Sequence, residues 1–280
     1  METILVPVDF SKNSENALHF ASNLSQKLQA RLIVFHSFHS HHTSAYVSAN
    51  SFDHELQVVK EHTDQKLKDL YARVGTIDTF STPEFISSDT DFHEEMLRLV
   101  AEKGVDLIVM GTQGSGSRLE GKLFGTNTSW VVEKVKCPVI AIPENQPLEM
   151  LDEIVYASDY VPGDIDNLQK LVPIAQAFNS NVTVIHITRD ESDEAVKTLA
   201  SFEQQVKSEI GTFDIRFRLV KGTSVEKTLE QYLDENRVDL LVMSAHQRSL
   251  PEKLFGKSMT RIMTLYSHIS LMIFHQKAES

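Results

Sequence analysis

Cysteine is almost missing from this chain: of 280 residues only Cys137 is one, so no internal disulfide can form. Cys137 precedes Pro138 at the head of an apolar run, which favours a packing residue over the alternative of a redox-active thiol. Also lacking is any run of about 18 apolar residues, the length of a membrane span, so no passage through a bilayer is expected. Basic residues are short as well. Lys and Arg number 27 against 39 Asp and Glu, a formal net charge of -12, which excludes a nucleic-acid backbone as the main ligand because such proteins need basic faces. G-x-S-x-G, G-x4-G-K-[ST], HExxH and CxxC are all absent, and with them the common signatures of hydrolases, kinases and zinc enzymes. No efficient enzyme is indicated.

What is present suits a folded protein: 41% hydrophobic and 24% charged residues are ordinary for globular chains, and the length suits two domains. Met1-Glu2-Thr3 runs into the apolar stretch Ile4 to Val8 without a basic flank or cleavage site, so a cytoplasmic protein is expected.

The chain repeats itself. Ile4-Leu5-Val6-Pro7-Val8-Asp9 is echoed by Ile154-Val155-Tyr156-Ala157-Ser158-Asp159, and Leu32 to Ser37 by Val182 to Ile187, which lays His36 over His186. Asp106-Leu107-Ile108-Val109-Met110 returns as Asp239-Leu240-Leu241-Val242-Met243, so the offset shrinks from 150 to 133 and the 17 residues between fall where the first half carries His39 to Phe52. That segment reads as an insertion. Leu123-Phe124-Gly125 matches Leu254-Phe255-Gly256, and Val139 to Ile142 matches Leu271 to Phe274. A period this long is a domain duplication and not a solenoid. The units expected are 1–143 and 150–276, with Pro143 to Glu149 as linker.

Between the apolar runs lie helical patterns. Ala17, Leu18, Ala21, Leu24 and Leu28 share one face behind a cap at Ser11. Asp91 with Glu94 opens another helix, which Gly104 stops, and Pro173 is expected to kink the first helix of the second unit. Strand alternating with helix gives an α/β fold, a doubly wound parallel sheet with helices on both faces. Its ligand crevice lies beyond the carboxyl ends of the first and fourth strands, where the strand order reverses. There the sequence reads Pro7-Val8-Asp9 and Met110-Gly111-Thr112-Gln113-Gly114, then Gly125-Thr126-Asn127-Thr128 before a helical segment. Four of the 11 glycines fall between 111 and 121. Bare backbone followed by a helix N-terminus suits an anion, and a flexible surface loop is the alternative.

Val6 to Ser11, Val109 to Gly114, Gly125 to Thr128 and Cys137-Pro138-Val139 together resemble the universal stress protein family, over nearly the whole chain. The resemblance implies two tandem five-stranded parallel sheets of the Rossmann-like, adenine nucleotide α-hydrolase-like type. Nucleotide-binding members carry G-x2-G-x9-G-[ST]; here ten residues separate Gly114 from Gly125, and the extra one is expected to bulge within Ser115 to Arg118. By position, the resemblance puts Asp9 at adenosine, the Ser37 backbone near the base, and Gly111, Gly114, Gly125 and Thr126 around ribose and phosphates, with Pro7, Val8, Met110, Gln113 and Asn127 as further nucleotide contacts. An Asx turn or cap is the other reading of Asp9, and helix capping that of Thr126.

In the second copy Ser244-Ala245-His246-Gln247 replaces the first two glycines, eight residues precede Gly256, and Lys257 replaces the hydroxyl residue, while Asp159 and Gly222 survive. A degenerate site is expected, with Lys257 gripping a phosphate by charge as the alternative. His39, His41 and His42 read as a polar loop rather than a metal site, and His36 with His186 as a repeated strand-end hydrogen bond. The resemblance thus implies a stress-response or regulatory protein switched by ATP or AMP, with Mg as the accompanying ion and slow ATP hydrolysis at most. Its final strands would pair as an intramolecular pseudo-dimer, with a homodimer and unidentified protein partners as further expectations. The alternative is a tandem scaffold without nucleotide.

Overall fold

A continuous sheet of ten strands runs through the computed structural model, which describes residues 1–38, 49–75, 82–112, 125–145, 150–190, 192–245 and 269–275. The first half supplies β1 (Thr3–Pro7), α1 (Lys12–Leu28), β2 (Arg31–Ser37), α2 (Ala49–Val74), β3 (Glu84–Ser88), α3 (Phe92–Lys103), β4 (Leu107–Gly111), α4 (Thr126–Lys134) and β5 (Val139–Ile142). The second supplies β6 (Glu153–Ala157), α5 (Pro162–Phe178), β7 (Asn181–Thr188), α6 (Asp193–Ile210), β8 (Ile215–Lys221), α7 (Val225–Glu235), β9 (Leu240–Ala245) and β10 (Ser270–His275). Strand order is β3-β2-β1-β4-β5-β10-β9-β6-β7-β8. Within each half every pair is parallel, as strand-helix alternation requires. The two five-stranded parallel sheets expected from the sequence are both present, joined edge to edge into one through their final strands.

The join is antiparallel: Leu271, Met272 and Ile273 of β10 pair with Ala141, Ile140 and Val139 of β5. The carboxyl edges of the two halves consequently face opposite sides of the sheet. Beside the join α1 packs on α5, where Phe20 stacks on Phe178 at 5.7 Å and the Lys27 ammonium lies 5.0 Å from the Phe178 ring centroid.

Central strands are buried on both faces, so their side chains split by parity. Ile4 and Val6 join a core under α1, α2, α5 and α6, while Leu5 joins a second core under α3, α4 and α7. Capping follows the sequence closely. The Ser11 hydroxyl accepts the Ser14 amide, Asp91 accepts the amides of His93 and Glu94, and Gly104 stops α3 at φ 61°. Helix α5 runs through Pro173 as one element of 17 residues. Among the described residues no helix is long and apolar enough to cross a membrane.

The duplication extends to single bonds. Asp106 accepts the amides of Glu2 and Thr3, as Asp239 accepts those of Asp152 and Glu153. Left-handed backbone recurs at Phe10 and Tyr160 (φ 60° and 57°) and at Gln29 and Asn179 (φ 54° and 56°).

Candidate functional site

In the first half β1 lies between β2 and β4, so the chain leaves it toward β2 and reaches β4 only later from the other side. The crevice of a doubly wound sheet forms at this reversal. Pro7, Val8 and Asp9 at the end of β1, Ser37 at the end of β2, and Met110 and Gly111 at the end of β4 all reach that edge.

Much of the edge is held by its own residues. Asp9 accepts the Ser11 amide at 3.1 Å and the Ser11 hydroxyl at 2.5 Å, an Asx turn that leads into the cap of α1. Val8 donates its amide to Phe35 O at 2.8 Å, and its carbonyl lies 2.7 Å from His36 Nδ1. The left-handed turn brings Phe10 against the His36 ring, 4.7 Å between centroids. Burial holds the His36 pKa below its ordinary value, against the opposing pull of the Val8 carbonyl and the Asp9 charge. Ser37 uses its hydroxyl to donate to Thr90 O at 2.8 Å.

Gly111 has a reason of its own. A Cβ there would sit 2.6 Å from Asn13 Cβ and 2.8 Å from Asn13 C, so the missing side chain lets α1 close onto β4. Asn13 is a partner that sequence reasoning missed; nothing near Gly111 in sequence announces it.

Beyond β4 the chain returns at α4. Gly125 is the N-cap of this helix, so Thr126 is not the cap expected as one reading but the first helical residue, and it is exposed. Gly125 donates its amide to Thr112 O at 2.7 Å, and the Thr128 hydroxyl donates to Gly111 O at 2.9 Å. These two bonds fix the start of α4 against the end of β4. Thr112 and Thr128 were missed as positioning residues, although a hydroxyl three residues after a capping glycine was visible. The capping glycine has no side chain to bond the helix amides, and the first internal bond of α4 runs from the Ser129 amide to Gly125 O. The amides of Thr126, Asn127 and Thr128 therefore have no intrahelical acceptor and point beyond the sheet edge with the positive end of the helix dipole. Gln113, Gly114, the bulge expected within 115–118 and the His39 to His42 loop lie outside the described residues.

The second half repeats the frame and changes the contents. His186 Nδ1 lies 2.8 Å from Ser158 O and its ring stacks on Tyr160 at 4.5 Å, as His36 does with Val8 and Phe10. The repeated strand-end hydrogen bond is thus present in both halves. Asp164, fully buried, accepts the Tyr156 hydroxyl and the Ser158 hydroxyl, each at 2.7 Å, while Asn167 donates to Tyr156 Oη at 3.0 Å. Burial and the Asp164 charge push the Tyr156 phenol well above its ordinary pKa. Asp159 is exposed. Gly222 survives for packing, since a Cβ would lie 1.8 Å from Thr228 Oγ1. Ser244 stands where the first half has Gly111; Gln247, Gly256 and Lys257 lie outside the described residues. Among the described residues no cluster of His, Cys, Asp and Glu is placed to hold a metal ion.

The model of the universal stress protein family matches residues 1–143. A universal stress protein of Synechocystis is 21% identical over 291 residues, covering 98% of this chain and 100% of that protein. Another, from Methanocaldococcus jannaschii, is 24% identical over 153 residues, covering 50% of this chain and 93% of the relative. The crystal structure of a universal stress protein from Archaeoglobus fulgidus superposes with a TM-score of 0.67 over 99% of this chain and 97% of that one, at 16% identity, a likeness of fold. With half its length matched by the family model and a relative aligned end to end, the chain belongs to the universal stress protein family.

Proposed function

We propose that residues 1–143 form a unit that binds ATP or AMP, that residues 150–276 form a second unit whose site has degenerated, and that the whole is a cytoplasmic, nucleotide-responsive regulatory protein. The observation that carries this reading is the start of α4: a glycine cap without a side-chain bond, braced on β4 beside the strand reversal, with three amides and a positive dipole end aimed outward. The phosphates would lie on Thr126 and Asn127, with Gly111, Gln113, Gly114 and Gly125 beside them. Pro7, Val8, Asp9, Ser37 and Met110 would surround adenosine. The Thr126 hydroxyl is a fitting single ligand for Mg, an ion that keeps most of its shell as water and phosphate oxygen. Occupancy would act as a switch on contacts with protein partners, and hydrolysis would run well below about 1 per second.

A scaffold without nucleotide is the second reading, and two observations favour it. Gly111 is explained by Asn13, and Asp9 by its turn. Calorimetry with ATP, ADP and AMP separates the two. One site per chain is expected, and Thr126→Glu should weaken ATP at least tenfold by placing a carboxylate at the phosphates, without loss of melting temperature because acids suit a helix start. Heats indistinguishable from dilution at millimolar nucleotide would leave the scaffold.

A further inference from the structure

Helix α4 ends against the other half of the molecule. Its last internal bond runs from the Val135 amide to Val131 O, so Val132 O is the first carbonyl without an intrahelical donor. His275 Nε2, at the end of β10, is hydrogen-bonded to that oxygen. His275 Nδ1 is buried and has no partner among the described residues, so this bond is the polar contact of the imidazole there. A carbonyl only accepts, so Nε2 carries the proton and donates.

The topology makes the contact possible. Because β10 runs antiparallel to β5, its carboxyl end emerges at the amino end of β5, where α4 finishes. In the ladder with β9, His275 stands opposite Ala245 and Phe274 opposite Ser244, the counterpart of Gly111. A helix of nine residues is about 13 Å long, so α4 reaches from the carboxyl edge of the first half to that of the second. Helices this short are marginal alone, and both ends of α4 depend on bonds from outside it. The arrangement runs one way: the strand match that aligns Ile142 with Phe274 aligns Pro143 with His275, and proline has no side-chain donor.

We propose that His275 is a positioning residue for the first half's ligand site, contributed by the second half: it caps the carboxyl end of α4 and so fixes the amides at the amino end. The inference rests on the nucleotide reading for its ligand and on the hydrogen bond for its mechanism. Three measurements on the full chain test it. Hydrogen exchange of the amides of residues 130–134 should quicken about fivefold in His275→Leu, which keeps bulk and loses the donor, and return toward wild type in His275→Gln, whose amide donates again. Calorimetric ATP affinity should fall about fivefold in His275→Leu and recover in His275→Gln. In the wild type, ¹⁵N resonances should show His275 protonated at Nε2. Unchanged exchange in the leucine variant, or an Nδ1-protonated imidazole, overturns the cap. Faster exchange with unchanged ATP affinity overturns the positioning role while the nucleotide site stands. Wild-type chain that binds no ATP overturns the nucleotide reading and the positioning role together, with exchange still deciding the cap. Should the leucine variant fail to fold, the glutamine variant and the wild-type resonances decide alone.

Discussion

The two halves begin their first helices over the same backbone and secure it differently. In the first, Asp9 binds the amide and hydroxyl of Ser11, and the Ser11 hydroxyl caps α1. In the second, Val161 stands at the cap and Asp164, three residues on, gathers Tyr156, Ser158 and the Val161 amide from inside the core. The β4 contact is exchanged too. The first half sets Gly111 against Asn13; at the matching positions the second has Ser244 and Gly163, with the glycine moved from strand to helix. A duplicated frame thus keeps its turns and its volume while the residues that provide them trade places. A glycine in a ligand motif is not by itself a ligand residue.

The largest test of this comparison is Asp164→Ala. Removing a buried carboxylate leaves two hydroxyl donors without their acceptor and should cost about 3 kcal/mol in denaturant unfolding. The counterpart Ser14→Ala should cost no more than about 1 kcal/mol, since Ser14 binds only local loop groups. Equal losses would mean that the starts of α1 and α5 are secured alike.

The glycine exchange comes next. Gly111→Ser alone forces overlap with Asn13 and should destabilise by about 2 kcal/mol. Combined with Asn13→Gly, which imitates the second half, it should recover at least about 1 kcal/mol beyond additivity in a double-mutant cycle. Additive effects would deny the contact. Ser11→Ala should lower stability by about 1 kcal/mol through loss of the α1 cap, whereas Val161→Ala, at a cap whose side chain makes no bond, should not.

The smallest effect concerns pH. The folded-state pKa of His36 lies below its ordinary 6.5, so the unfolded chain binds this proton more readily. Its contribution to stability is present above pH 6.5 and is lost as pH falls through the lowered folded value. Melting curves of His36→Gln between pH 5 and 7.5 should show a flatter slope than wild type; an unchanged slope would place the titration elsewhere.

Much of this was legible in the sequence because it depends on neighbours along the chain. Caps at Ser11 and Asp91, the stop at Gly104, the repeat, and the His36 and His186 pair all follow from local spacing or from laying one half over the other. What was hidden depends on contacts across space. The close approach of Asn13 to Gly111 is one such contact, because the two residues stand nearly a hundred positions apart in the chain. Gly222 packs so closely on Thr228 that a Cβ would overlap it, a contact made as the chain returns from β8 into α7. Asp164 went unnoticed because an acid in a first helical turn is ordinary; only its burial with Tyr156 and Asn167 sets it apart.

The antiparallel pairing of β5 with β10 has a consequence for how this protein changes over time. Two separate subunits joined by the same strands would come apart on dilution, whereas here the partner strand is tethered and its effective concentration does not depend on how much protein is present. A symmetric pair would also carry each substitution twice, once on each side of the join. In a single chain a residue such as His275 can be acquired on one side alone, so one half is free to lose a pocket while serving as fixed support for the other.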